Sequence, residues 1–238
     1  MSRVTYDAGT MTITVEGMED VAEALGDLKS KTPAVLKVAI NATARQAARD
    51  AIKAAEQRYA LTSRGREKLQ NYRQKKKATN SDLLAVIHGD DDSLPLNMVY
   101  FEHTPEKPYM GKAMGAAPVH FRAKVLKNGG YKNLTEGAGR SKGFLVSIHN
   151  PKSGNDHLAI LQRVLNSHAQ RTVTNRGYKR WKSPNGMVEK VYDMERPGVS
   201  SMGRAVWDRG INQEAAENLE RFVERRINQI LDNAARRG

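Results

Sequence analysis

The amino-acid sequence predicts an α+β fold: N-terminal helices and a long C-terminal helix packed on a small antiparallel β-sheet, with long basic loops. Three observations predict it. "TPAVLKVAINATARQAARDAI" (32–52) and "INQEAAENLERFVERRINQILDNAARR" (211–237) carry apolar residues at helical spacing. Between them lie short β-prone runs, among them "DLLAVIHG", "LNMVYFEH" and "FLVSIHN". Turn-rich segments separate those runs, and helices at both ends with strands between them are the α+β pattern. No internal repeat and no linker divides the chain, so one domain over residues 1–238 is expected.

Taken in order, "MTITVE" (11–16) alternates Thr with Ile and Val, as a strand with one wet face does. In "GMEDVAEALGDLKSK" (17–31), Met18, Val21, Leu25 and Leu28 fall on one side of a short amphipathic helix. Thr32 is then expected to cap a second helix, with Pro33 at its first position, where a missing N–H costs nothing. That helix can run to Tyr59, about 40 Å at 1.5 Å per residue. Its stripe of Leu36, Ile40, Ala44, Ala47, Ala51 and Ala55 is lean, and alanine favours helix and lets a neighbour approach closely. Two readings follow: an ordinary packed helix, or a contact face in which Leu36, Ile40, Ala44, Ala47 and Ala51 pack against another subunit. Both can hold at once.

Residues 61–80 change character, with seven basic side chains against one Glu. This segment reads as a charged helix or as a basic arm or loop. "DLLAVIHG" and "LNMVYFEH" around "DDDSLP" predict a hairpin with an acidic tip, and "APVHFRAKVL" predicts a further strand. "FLVSIHN" and "HLAILQRVL" around "PKSGND" predict a second hairpin, although "ILQRVL" also fits a helical turn. Residues 127–142 and 171–187 read as long basic loops. In the last helix, Ala215, Leu219, Phe222, Ile227, Ile230, Leu231 and Ala234 form an apolar face, Asn212 is placed to cap, and Glu217 with Arg221 makes a supportive i,i+4 pair.

Composition bounds the chemistry. The 238 residues suffice to bury roughly 70% of the unfolded surface. A net charge of +13 predicts attraction to polyanions or to an acidic protein surface. The absence of cysteine excludes disulfides, thiolate metal sites and cysteine nucleophiles. No run approaches the roughly 20 apolar residues of a membrane span, and the N-terminus lacks an apolar signal core. A soluble intracellular product with no membrane partner is expected.

Catalytic patterns are weak. "GAGRSKG" (137–143) has the glycines of a phosphate loop without its spacing. The six histidines are scattered, and "HTPE" is interrupted by Pro105. Asp90, Asp91 and Asp92 with Glu102 could hold Mg²⁺ for a nuclease, but a solvated turn is far the commoner reading of such a run. His149, Asp156 and His157 could ligate a metal or simply decorate a hairpin tip. No cofactor and no catalytic residue is assigned. The basic signal is stronger: Arg64, Arg66, Lys68, Arg73, Lys75, Lys76 and Lys77 form one docking or phosphate-contacting cluster beside Tyr72. Arg171, Arg176, Lys179, Arg180 and Lys182 form another beside Tyr178 and Trp181. No helix-turn-helix, zinc-finger, RRM or KH pattern accompanies either cluster.

"VEGMEDVAEALGDLKSKTPAVLKVAINATARQAARDA" (15–51) resembles the opening of the minor tail protein Z family of long-tailed phages and the related tail-completion proteins. Gly17, Met18, Glu19, Leu25, Leu28, Pro33, Ala39, Ile40, Asn41, Ala44 and Ala47 carry the likeness. "KGFLVSI" with "HLAILQRV", and "PGVSSMGRAVWDRG" with the last helix, extend it. Nothing is carried over to residues 104–141 or 168–190.

The resemblance implies a virion structural protein rather than an enzyme, assembled in the host cytoplasm and sited in the tail or neck. It implies a ring of identical subunits, a hexamer being one candidate, at the head-proximal end of the tail. The implied partners are the chain itself, tail tube, tail terminator or tape-measure proteins, and head connector proteins, with non-specific DNA contact in the lumen. An accessory protein binding DNA without sequence preference through its basic clusters is the alternative.

Overall fold

The protein is described by a computed structural model covering residues 2–7, 10–89, 95–107, 121–134, 143–149, 154, 156–164 and 190–237. Two long helical runs of 41 and 37 residues accompany small antiparallel sheets, an α+β fold. The chain divides into two compact units where the sequence reading has one domain. The first comprises residues 1–57, 67–94 and 197–238, and the second comprises 58–66 and 95–196.

The first unit holds strands β1 (Ser2–Asp7) and β2 (Thr10–Val15), and helices α1 (Met18–Leu25) and α2 (Thr32–Arg58), the latter up to residue 57. It also holds the end of α3 (Ser63–Leu69), strands β3 (Arg73–Lys76) and β4 (Ala85–His88), and helices α4 (Val199–Val206) and α5 (Asn212–Ala235). Its sheet has the order β1-β2-β4-β3, and every pairing in it is antiparallel. In β2, Met11 and Ile13 are fully buried while Thr12 and Thr14 are part-exposed, as the alternation predicts. α5 lies along β1 and touches α1. The β1 strand was not anticipated, although "SRVTYD" followed by "AG" carries a strand-and-turn signal.

Thr32 does not cap α2. A 3₁₀ segment (Gly26–Lys31) runs straight into the helix, so Thr32 already has helical dihedrals and its hydroxyl is buried. Asn212 likewise does not start a new helix. α4 leads through a wide turn (Trp207–Ile211) into α5, and the bend falls at Gly210, whose φ of 130° suits only glycine. Arg221 donates to Asn218 and Glu217 accepts from Gln213, so these bonds replace the expected Glu217–Arg221 pair.

The second unit carries β5 (Leu96–Asn97), a 3₁₀ turn (Met98–Tyr100), β6 (Glu102–Thr104), β7 (Arg122–Lys124) and β8 (Lys132–Asn133). β9 (Phe144–His149), β10 (Asp156–Val164), β11 (Lys190–Asp193) and β12 (Glu195–Arg196) follow. They form sheets β11-β10-β9, β6-β7-β8 and β12-β5. The predicted β9–β10 hairpin is present, with His149 opposite Asp156, and "ILQRV" is strand rather than helix.

The other predicted hairpin is not formed. Both edges of β4 are taken by β2 and β3, while β5 pairs with β12. "LNMVYFEH" is broken instead of continuous, because the Asn97 side chain accepts from the Val99 amide at 3.0 Å and opens a 3₁₀ turn.

Asn97 also anchors this unit. Its amide group donates to the Ile160 carbonyl (3.1 Å) and to Asp193 Oδ1 (2.9 Å), and its Oδ1 accepts from the Ile160 amide (2.9 Å). One side chain thereby completes the backbone bonding of β10 beyond the point where its ladder with β11 ends.

Candidate functional site

The lean stripe of α2 lies inside the chain. Leu36, Ile40 and Ala44 have no exposed surface, and Ala47 and Ala51 retain 2% and 1%. A face already buried by its own chain cannot also be the surface that meets another subunit, so the oligomer-packing role expected for these five residues is corrected. They are core. Alanine is used there because the neighbours approach closely. Asn41, on the same helix, shows how closely: its Oδ1 accepts from Gln74 Nε2 (2.6 Å) and the Ala78 amide (2.9 Å), and its Nδ2 donates to the Ala78 carbonyl (3.0 Å).

The basic segment 61–80 is built into the fold. Thr62 caps α3, its hydroxyl accepting from the Gly65 amide at 3.2 Å. Leu69 and Tyr72 are buried, and residues 73–76 form β3. A regular helix and strand replace the basic arm because those two apolar anchors hold them down.

The seven basic residues divide between the units: Arg64 and Arg66 belong to the second, and Lys68, Arg73, Lys75, Lys76 and Lys77 to the first. β3 is an outer strand of its sheet, and its register with β4 shifts between Gln74 and Lys76. Lysines and an irregularity on an edge strand discourage pairing with a foreign strand. That role accounts for much of the run without invoking a docking molecule outside the chain. Lys76 in addition meets Asp82 at 2.6 Å, with both side chains about half exposed.

Within the second unit, a cleft of about 530 Å³ collects Arg64, Arg66, Glu102, His103, Glu106 and Tyr131. Two guanidinium groups and two carboxylates leave it without net charge, so it exerts little pull on a polyanion. The His103 ring stacks on Phe121 with centroids 5.8 Å apart, and its Nδ1 lies 2.7 Å from the Phe101 carbonyl. The Tyr131 hydroxyl is held above its ordinary pKa, first by partial loss of solvent and then by the nearby Glu102 carboxylate. These residues are far apart in sequence, and no motif announces their meeting.

In the first unit, α5 ends differently from α2. Only Ala215 and Leu219 of its residues are buried. Beyond them Phe222, Val223, Ile227 and Ile230 are part-exposed, and Leu231 is 39% exposed. The apolar face read from the sequence exists, but the chain fully buries just its first third. At its base lies a groove of about 190 Å³ floored by Val15, Val21, Leu219 and Val223. Glu16, Asp20, Glu220 and Glu224 rim it.

Asp90, Asp91 and Asp92 lie outside the described residues, as does the basic cluster at Arg171, Arg176, Lys179, Arg180 and Lys182. The loop at 171–187 and residues 135–142 of the loop at 127–142 also lie outside them. Among the described residues there is no group of three or more acidic or histidine side chains placed to hold a metal, and no helix is long and apolar enough to cross a membrane. Comparison with family models, curated proteins and solved structures finds no match to this chain.

Proposed function

We propose that this chain is a structural subunit of a tailed-phage or prophage virion, a tail-completion or neck protein that works by assembly and docking without a chemical step. It would form a ring at the head-proximal end of the tail and help join the tail to the head connector. The observation that supports this best is the part-exposed apolar face of α5, open most at Leu231, in a chain carrying +13. An exposed apolar helix face is what an assembling subunit offers to its partners. The resemblance over residues 15–51 points the same way.

The test is electron microscopy of the purified protein mixed with tails lacking their completion protein. Rings at one tail end are expected. Free protein beside unchanged tails would refute the proposal. Non-specific DNA binding is the second reading, favoured by the net charge. It requires tight binding to any duplex with a steep loss of affinity in salt. The neutral cleft at Arg64 and Arg66 and the edge position of the lysines weigh against it.

A further inference from the structure

We propose that the distal half of α5 pairs antiparallel with the same helix of a second copy, the arginine end of each helix reaching the carboxylate-rimmed groove of the other. This deepens the virion reading, since it rests on the same α5 face. A monomer that still forms rings on tails would refute the pairing alone, and a dimer that leaves tails unchanged would refute the virion reading alone.

Three observations carry it. The first is the stripe itself: Val223, Ile227 and Ile230, all part-exposed, and the exposed Ala234 recur at spacings of four, three and four residues along one side of the helix. That stripe is about 16 Å long. The second is the charge polarity of the helix. Residues 212–224 carry four glutamates against one arginine, whereas residues 225–237 carry four arginines against one aspartate. A parallel copy would set acid on acid and base on base, whereas an antiparallel copy sets each half against its opposite.

The third is the groove. In a chain with 39 basic and 26 acidic residues, four carboxylates gather at the base of α5 around an apolar floor. A register with Ile227 opposite Ile230 and Val223 opposite Ala234 lays the stripes together and brings the Arg236 and Arg237 end of each helix to that groove. The same patch then serves both copies, as a two-fold contact requires. The contact is small, so the dimer forms at micromolar concentration rather than permanently.

The test uses sedimentation equilibrium on the full chain, with circular dichroism confirming unchanged helix content. The wild type is expected to dimerise between about 1 and 100 µM, and Ile227→Glu with Ile230→Glu is expected to stay monomeric. Charge reversal decides the orientation. Glu220→Arg with Glu224→Arg, and separately Arg236→Glu with Arg237→Glu, should each raise the dissociation constant at least tenfold. All four changed residues are exposed, so the subunit keeps its fold. Mixing the two reversed variants should restore a heterodimer, and all four changes in one chain should restore a homodimer. A wild type that remains monomeric throughout, an assembly that ignores the stripe variants, or a mixture that fails to pair would each overturn the proposal.

Discussion

Replacing Gly65 by alanine should loosen the second unit although the residue sits in a helix, where alanine is ordinarily the better choice. A Cβ built on Gly65 would stand 2.1 Å from the Tyr100 carbonyl oxygen and 3.2 Å from Leu61 Cβ. That carbonyl cannot swing aside freely. It accepts from the Thr62 amide at 3.0 Å and from the Thr62 hydroxyl at 3.1 Å. Overpacking costs about 1–3 kcal/mol, and two weakened hydrogen bonds add about 0.5–1.5 kcal/mol each. Helix propensity returns about 1 kcal/mol. The net is a loss of about 3 kcal/mol. Amide exchange at Thr62 reads it locally, where that loss corresponds to roughly a hundredfold faster exchange if opening is limited to this unit. Gly130→Ala serves as the control, since nothing lies within 4 Å of its built Cβ; it should be neutral or stabilise by about 0.4–1 kcal/mol. If Gly65→Ala behaves like the control, the close approach of the Tyr100 carbonyl is not what demands glycine.

Other consequences can be measured alongside. Asn97→Ala removes four hydrogen bonds, two of them to the Ile160 backbone, and should cost roughly 2–4 kcal/mol in urea unfolding; a change below 1 would mean that water replaces the side chain. Ile40→Ala should cost about 2–5 kcal/mol independently of protein concentration; a concentration-dependent loss would return the stripe to an interface. Substituting Thr for Lys75, Lys76 and Lys77 together should change stability by less than about 1 kcal/mol yet promote aggregation seen by light scattering, since the edge strand loses its guard. Tyr131 should titrate above the ordinary phenol value of about 10 in ultraviolet difference spectra, and Glu102→Gln should bring it back down. A raised phenol pKa means that the folded state holds its proton longer. The associated stability is present below pH 10 and lost as pH rises through the folded value.

Local signals were legible where one element decides its own structure. The helical period over residues 32–58, the alternation in β2 and the hairpin joining β9 to β10 all read correctly, because pattern and turn chemistry lie in one short stretch. Partner choice was not legible. β4 looked like half of a hairpin with the following run, but its two neighbours come from residues 10–15 and 73–76. The α2 stripe and the α5 face look alike in sequence. One is fully buried and the other only in part because of what packs on them, which periodicity does not encode. Thr32 is a good capping residue at a place where the preceding turn is already helical, and the basic run read as either a charged helix or an arm because two anchors, Leu69 and Tyr72, weigh little in composition. The cleft near Arg64 draws on residues separated by up to about a hundred positions and left no trace in any motif.

The contrast between β3 and α5 bears most directly on function. An unpaired strand edge and an uncovered apolar helix face are both liabilities for a free protein. At β3 the chain answers the liability with Arg73, Lys75, Lys76 and a register shift. Along α5 it leaves Ile227 and Ile230 part-exposed and Leu231 39% exposed, with no residue beyond Leu219 fully buried. The helix is supported there by intrinsic propensity and by side-chain bonds such as Arg226 to Gln229. A polypeptide that defends one exposed surface and leaves another apolar has a use for the second. Since the uncovered half is basic and the groove at its base acidic, the complement it needs already exists on an identical molecule. On the proposed pairing, assembly requires no feature beyond those the subunit carries. If Ile227→Glu with Ile230→Glu left both self-association and tail attachment intact, that economy would be illusory and the face would be an ordinary solvated helix end.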